Sequence, residues 1–137
     1  MKKLSFYILG LVFFLSLAQA FSNCKVTNRL NGCWTYTTES SVFNLLLTQR
    51  GSTLTGSHCS TMLGGRKVDC GFDASDLSIT AVINDPNFMT VDVKSYYSGS
   101  TGKATLKKIS ASQIEWRLIQ EPAGEFYLPD QVILTKR

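Results

Sequence analysis

The sequence has little of the side-chain chemistry that enzymes use. His58 is its only histidine, and acyl or phosphoryl transfer normally needs a nucleophile beside a positioned base. Ser57 precedes His58, but adjacent strand residues point to opposite faces, so the two side chains do not meet. We expect His58 at the surface or at a barrel end. No two carboxylates can be assigned to one cleft, because Glu115 and Asp92 are both expected to point outward. The sequence therefore predicts no catalytic residue and a protein that is not an enzyme.

Concentrated positive charge is also missing. The full chain has 14 Lys and Arg against 10 Asp and Glu, and two of these lysines, Lys2 and Lys3, belong to the leader segment described next. The few basic residues that cluster in sequence are Lys103, Lys107, Lys108, Lys136 and Arg137. Nucleic-acid-binding domains usually show a basic stripe with interleaved aromatic residues. No nucleic-acid partner is expected.

One long apolar run is present, at the start of the chain. Lys2 and Lys3 precede the apolar stretch from Ile8 to Leu17, and Ala18-Gln19-Ala20 has the small-x-small pattern of a signal-peptidase site. The run is short for crossing about 30 Å of hydrocarbon. We therefore expect residues 1–20 to be a signal peptide rather than a membrane anchor. The mature protein is expected to be soluble, without membrane insertion, in the periplasm or outside a bacterial cell.

After Cys33 the chain alternates between apolar and polar residues with a period of two, and no segment has a convincing helical pattern. Alternation places one set of side chains on each face of a strand. The strand candidates are 33–38, 41–50, 53–61, 66–71, 76–84, 88–97, 103–109, 112–120 and 131–136. Short Gly-, Asn- and Ser-containing turns between them favour a meander in which consecutive strands pair. Residues 21–137 are thus predicted to form one all-β domain, an antiparallel up-and-down barrel of about eight strands, with a β-sandwich as the alternative.

Four cysteines suit an oxidising compartment. Gly64-Gly65 is typical of a two-residue hairpin turn, and this turn places Cys59 opposite Cys70, within reach of a disulfide. Counted from that turn, the pair occupies a hydrogen-bonded site, where opposed Cα atoms lie about 5.5 Å apart. Cys24 and Cys33 are then left to pair with each other. Zinc sites favour closer cysteine pairs, so neither a metal nor any other cofactor is expected.

Two short motifs resemble those of a known group of barrels. Leu30-Asn31-Gly32-Cys33-Trp34 and, after an alternating segment, Gly51-Ser52-Thr53-Leu54-Thr55-Gly56 look like the opening of avidin-like and lipocalin-like (calycin-type) barrels. Trp116 in a late strand and Arg137 at the end of the last one suit the same pattern. The resemblance implies a small exported up-and-down barrel. The avidins' cluster of ligand-contacting tryptophans cannot be placed here, so biotin binding is not carried over.

Two pairs of adjacent aromatic residues, Tyr96-Tyr97 and Phe126-Tyr127, fall near turns. Neighbouring strand residues face opposite sides, so each pair should expose at least one ring. Exposed aromatic rings are common contacts for ligands and partner proteins. We therefore predict a binding site from Tyr96, Tyr97, Phe126 and Tyr127 at one barrel end. The alternative is that these rings only cap the barrel.

These observations predict an exported bacterial binding protein that holds a small apolar or amphipathic ligand at the barrel mouth. The alternative is a protein-binding inhibitor or immunity protein of a periplasmic or secreted enzyme. It would present the long connection from Glu121 to Asp130. The barrel interior distinguishes the two, because a cavity of several hundred Å³ favours a ligand and a filled core favours surface recognition.

Overall fold

A computed structural model describes residues 30–71, 73 and 75–137; the predicted signal peptide and Cys24 lie outside them. No helix in this part of the chain is long and apolar enough to cross a membrane. Each of the nine strand candidates corresponds to a strand whose ends agree with the prediction to within three residues, and the last candidate, 131–136, matches its strand at both ends. The strands are β1 (Gly32–Thr37), β2 (Val42–Arg50), β3 (Thr53–Met62), β4 (Lys67–Cys70), β5 (Ile79–Val82), β6 (Phe88–Lys94), β7 (Thr101–Ser110), β8 (Gln113–Gln120) and β9 (Gln131–Lys136).

Eight of the strands form a closed antiparallel barrel, which confirms the predicted fold class. The ring runs β2, β1, β9, β8, β7, β6, β5, β3 and closes through the pairing of β2 with β3. Consecutive strands pair as in a meander, with one exception. β5 pairs with Thr53–Gly56 of β3, and β4 pairs with Cys59–Met62 along the same edge of β3. β4 is therefore a ninth strand, attached to the barrel wall through β3 alone.

The barrel interior is filled by the inward half of each alternating strand. Trp34 and Trp116 are core residues, 1% and 0% exposed. Each indole N–H is satisfied: Trp34 donates to the Leu30 carbonyl at 2.8 Å and Trp116 to the Pro129 carbonyl at 2.9 Å. The other buried apolar residues include Phe43, Leu45, Leu47, Leu54, Ile79, Met89, Val91, Val93, Ala104, Leu106, Ile114, Leu128, Val132 and Leu134.

The predicted disulfide between Cys59 and Cys70 is present, but the turn beside it differs from the prediction. The last paired residues are Met62 and Lys67, so the turn holds the four residues 63–66 rather than two. The register is as expected, yet moving the closing pair by one step exchanges hydrogen-bonded and non-hydrogen-bonded sites. The two cysteines consequently occupy a close, non-hydrogen-bonded site with a Cα–Cα distance of 4.1 Å. The predicted pairing of Cys24 with Cys33 involves a residue outside the described ones.

Candidate functional site

Four connections meet at one end of the barrel, which we call the mouth end. They are the segments 38–41, 63–66, 95–100 and 121–130, as the antiparallel strand order requires. Both aromatic pairs predicted as a binding site lie here. The rings of Tyr97 and Tyr127 meet edge to face, with centroids 4.8 Å apart and an interplanar angle of 62°. The structure therefore brings the two pairs together across two different connections.

In the segment 95–100 the rings of Tyr96 and Tyr97 point in different directions, because the Ser95 hydroxyl holds a turn at this point. This hydroxyl accepts hydrogen bonds from the backbone N–H groups of Tyr97 and Ser98, each at 3.2 Å, and so turns the chain out of β6. β6 therefore ends at Lys94, whereas the predicted strand extended to residue 97. Tyr97 is left 56% exposed. Tyr96 turns the other way and its ring packs 4.8 Å from the imidazole of His58.

The segment 121–130 folds across the mouth end and closes it. The Tyr127 carbonyl accepts a hydrogen bond from the Ser60 hydroxyl at 2.5 Å, which ties the segment to β3. Leu128 is buried and Phe126 is partly buried against the barrel core. Of the four predicted site residues, Phe126 thus packs against the core and Tyr96 against His58, while Tyr97 and Tyr127 form an outer contact.

The buried carboxylate of Asp69 connects the strands to both of these segments. Its Oδ1 accepts hydrogen bonds from His58 Nε2 at 3.0 Å and from the Tyr96 backbone N–H at 2.7 Å. Its Oδ2 accepts from the Ser95 hydroxyl at 2.6 Å and from the Tyr127 backbone N–H at 3.2 Å. Burial alone raises the pKa of Asp69, but the bonds from His58, Ser95 and Tyr127 outweigh it and lower the pKa to about 2.

His58 also contacts Ser78, so three side chains form a continuous chain. With Nε2 donating to Asp69, Nδ1 is the atom that accepts from the Ser78 hydroxyl, at 2.7 Å. The order Ser–His–Asp is that of a hydrolase triad. All three residues are buried in the wall, however, and Ser78 lines neither of the grooves described below. What the described contacts show is a network that joins β3 and β4 to the start of β5.

Sequence reasoning missed this network, although the sequence holds a signal for it. The disulfide places Cys59 and Cys70 on the outer face of the wall. Their neighbours His58 and Asp69 must therefore point inward, as must Ser60 opposite Asp69. A buried His beside a buried Asp follows from that register. His58 was expected at the surface or at a barrel end, but it is buried in the middle of β3, where it pairs with Leu45 of β2.

Four side chains contact one another on the outer side of the mouth end: Lys67, Tyr97, Glu125 and Tyr127, which we call the mouth surface. The Tyr127 hydroxyl donates a hydrogen bond to the Glu125 carboxylate. Lys67 Nζ lies 3.5 Å from the same carboxylate oxygen and 5.0 Å from the centroid of the Tyr127 ring. The bond to Glu125 raises the pKa of Tyr127, and the same bond lowers the pKa of Glu125.

Two grooves lie on the outer side of the barrel wall. One, of about 340 Å³, runs between β4 and the segment 95–100, and we call it the β4 groove. It is lined by Val68, Cys70, Asp76, Lys94, Tyr96, Tyr97 and Gly99. The other, of about 360 Å³, crosses β1, β2 and β3 near Arg137. Within residues 30–71, 73 and 75–137, no group of three or more His, Cys, Asp or Glu side chains could hold a metal ion.

Comparisons with protein families, with curated proteins and with solved structures found no match to this chain. The closed eight-stranded barrel has an architecture compatible with the calycin-type barrels that the opening motifs resemble. The likeness extends to architecture only. Function is therefore inferred from the mouth end itself.

Proposed function

We propose that this protein is an exported binding protein that recognises a partner protein through the mouth surface, in the manner of an inhibitor or immunity protein. The observation that carries the proposal is the double role of the segment 121–130. Its inner side chains, Phe126 and Leu128, fill the mouth, and its outer side chain Tyr127 is held against Tyr97.

The filled interior favours protein recognition over a ligand inside the barrel. Trp34, Phe43 and Trp116 occupy the centre of the core, and the Phe43 and Trp116 rings lie 5.0 Å apart. A small molecule at the mouth would have to displace Leu128 and break the bond between Ser60 and Tyr127. A partner protein could bind without either change, because the surface that it would contact is already outside.

The mouth surface has the composition of a protein interface. Tyrosine is enriched among the residues that dominate binding energies, because its ring offers a large contact area at a small cost in side-chain entropy. Here the two rings are positioned before binding by their contact with each other and by the hydrogen bonds of Asp69. Lys67 and Glu125, each about half exposed, add one charge of each sign at the rim.

The export part of the proposal rests on two features. The first is the signal-peptide pattern of residues 1–20, and the second is the disulfide between Cys59 and Cys70. Structural disulfides form and persist in oxidising compartments. Edman sequencing or intact-mass analysis of the exported protein should place Phe21 first. Retention of Met1 in the exported protein would contradict the cleavage of residues 1–20.

The recognition part is tested by capture from a periplasmic extract of the source organism. The immobilised baits are the wild type, the Tyr97→Ser/Tyr127→Ser double variant and the control Phe88→Ser. Phe88 is a matched control because it is 50% exposed and lies on β6 at the opposite end. We expect one protein to be retained by the wild type and by the control, and lost by the double variant. Circular dichroism checks that all three baits are folded.

Two outcomes would contradict the proposal. One is a retained protein that the double variant holds as well as the wild type does. The other is a small molecule that co-purifies with the wild type in native mass spectrometry and leaves the double variant. That result would favour ligand binding at the mouth. If a protein is captured, adding the wild type to an assay of its activity decides between an inhibitor and a plain binding partner.

A further inference from the structure

The backbone of β4 has a free edge. β3 directs the backbone groups of its even-numbered residues toward β4 and β5, because the Gly56 carbonyl accepts from Ser78 N–H and the His58 N–H donates to the Ser78 hydroxyl. Asp69, opposite Ser60, is consequently in a hydrogen-bonded pair, and Val68 and Cys70 are in non-hydrogen-bonded pairs. The N–H and C=O groups of Val68 and Cys70 therefore point away from β3. No backbone hydrogen bond to them is found within the described part of the chain.

This edge forms one wall of the β4 groove, and the opposite wall offers no free strand. The N–H groups of Tyr97 and Ser98 are bonded to the Ser95 hydroxyl, and that of Gly99 to the Ser95 carbonyl at 2.9 Å. The Tyr96 N–H is bonded to Asp69. The N–H groups of residues 96–99 are thus all bonded, whereas those of Val68 and Cys70 on the β4 side are directed into the groove.

The geometry points to the β4 groove as a docking site for an extended segment of the partner protein, which would add to β4 as an antiparallel or parallel strand. This inference rests on the proposed function and names the way in which the partner is held. An added strand pairs through its main chain at a spacing of about 4.8 Å and places alternate side chains in neighbouring pockets. Val68, 46% exposed, and Tyr97 provide apolar contacts on the two sides of the groove.

The edge is fixed in place before anything binds. The disulfide joins β4 to β3 on the outer face, and the Asp69 carboxylate anchors β4 on the inner face. The ring of Tyr96, which lines the groove, lies over Gly71, so closely that a Cβ atom on Gly71 would approach Tyr96 Cζ to 2.7 Å. An incoming segment would therefore lose its own conformational freedom but would not have to order β4.

A single extended chain fits this site better than a second copy of the protein. β4 has four residues and is recessed beside Tyr97 and Gly99. Pairing of two β4 edges would bring two such walls together and would join only four residues of each copy. The groove also carries one charge of each sign, Lys94 and Asp76, which favours a segment with its own pair of opposite charges over a uniformly charged one.

The test uses a phage-displayed library of linear ten-residue peptides selected against the wild type. The informative variant is Val68→Pro, because proline removes an N–H group that the β3–β4 ladder does not use and is tolerated on edge strands. Val68→Ala is the matched control, since it keeps the N–H group and removes the side chain. We expect selected peptides to bind Val68→Pro at least tenfold more weakly than the wild type, and Val68→Ala less than fivefold more weakly. Amide shifts of ¹⁵N-labelled protein should then be confined to residues 67–70 and 94–99.

Each other outcome has a defined meaning. Equal binding to the wild type and Val68→Pro, or failure to enrich any peptide, overturns strand addition. Peptides that bind Val68→Pro as tightly as the wild type but do not bind the Tyr97→Ser/Tyr127→Ser variant would contradict strand addition. They would support recognition through the mouth surface. A wild-type dimer in sedimentation that Val68→Pro abolishes would replace the partner segment by a second copy. Folding of Val68→Pro is checked by the retained shift dispersion of its core methyl groups.

Discussion

Asp69 and His58 form a buried pair with 3.0 Å between Oδ1 and Nε2, and both side chains are fully inaccessible to solvent. The pair lies between the strands and the two segments that form the mouth surface. Asp69 accepts from three further donors, in the segments 95–100 and 121–130, so its two oxygens are saturated. Removing one acceptor oxygen would leave buried donors without a partner, which is more costly than losing an exposed bond.

Asp69→Asn should lower the free energy of unfolding by about 3–5 kcal/mol, because its NH2 group would replace one acceptor oxygen and would face two buried donors. Urea denaturation, followed by tryptophan fluorescence, measures this free energy of unfolding. Asp92→Asn is the matched control: Asp92 is half exposed and bonded to Lys103 at 2.6 Å. That change should cost at most about 1 kcal/mol. Equal losses in both variants would mean that the buried Asp69 network stabilises the fold no more than an exposed ion pair does.

The same carboxylate predicts a specific acid response. The pKa of Asp69 falls from 3.8 in the unfolded chain to about 2 in the folded protein. Its contribution is therefore complete above pH 3.8 and is lost as the pH falls toward 2, by roughly 2 kcal/mol. Unfolding free energies at pH 5, 3 and 2 should show this loss in the wild type. The difference between wild type and Asp69→Asn should shrink over the same interval; a constant difference would exclude the assigned cause.

Tyr127 should ionise later than an ordinary tyrosine, because its hydroxyl donates to Glu125 and a phenolate there would face a carboxylate. Following the Tyr127 ring carbon Cζ by NMR against pH measures the pKa. Glu125→Gln should lower it toward 10. Glu115→Gln, on β8 and away from the mouth surface, should leave it unchanged. If Glu125→Gln has no effect, the two side chains are not in contact in solution.

Trp34→Ala and Trp116→Ala should each cost about 3–5 kcal/mol of stability, since both indoles are buried and hydrogen-bonded. Phe88→Ala provides the exposed aromatic control and should cost under about 1 kcal/mol. Thermal or chemical denaturation compares the three. A loss below about 1 kcal/mol for Trp34→Ala would mean that the inward register of β1 is wrong.

Peptide mapping without reduction should find Cys59 linked to Cys70 and, in a separate peptide, Cys24 linked to Cys33. The first link is present in the structure, and the second remains a prediction from the even number of cysteines. Each closes a short loop and is expected to stabilise the fold by roughly 2–3 kcal/mol. A peptide that joins Cys33 to Cys59 would contradict both pairings.

The barrel was predictable because its core follows period two in nearly every strand. Met89, Val91 and Val93 on β6 show this, as all three are buried while Asp92 between them is exposed. Turn residues gave the order of the strands, and short connections made consecutive pairing the natural choice. The ninth strand was not foreseen as an addition to the wall, because the sequence does not reveal that β3 is long enough to pair with two strands on one edge.

The mouth end was predictable only in part. The aromatic pairs were predicted to share one barrel end, and they do. A strand extended to residue 97 could not reveal that the Ser95 hydroxyl turns the chain after Lys94. Asp69 escaped notice for a different reason. A lone acid between Val68 and Cys70 resembles a solvent-exposed strand residue, and its four donors come from positions up to 58 residues away. The register of the hairpin indicates His58, but local patterns carry no information about the donors in the segments 95–100 and 121–130.

The first and last strands of the chain meet where β1 pairs with β9, through pairs such as Trp34 with Lys136. These are contacts between the two most distant strands of the chain, so they carry the largest loop-closure cost and belong late in folding. Until β9 has been synthesised, the edges of β1 and β8 both stay open and can pair with other chains. The hairpin of β3 and β4, in contrast, joins residues within a few positions of each other and can form early. The time between these two events is when the chain is most exposed to aggregation.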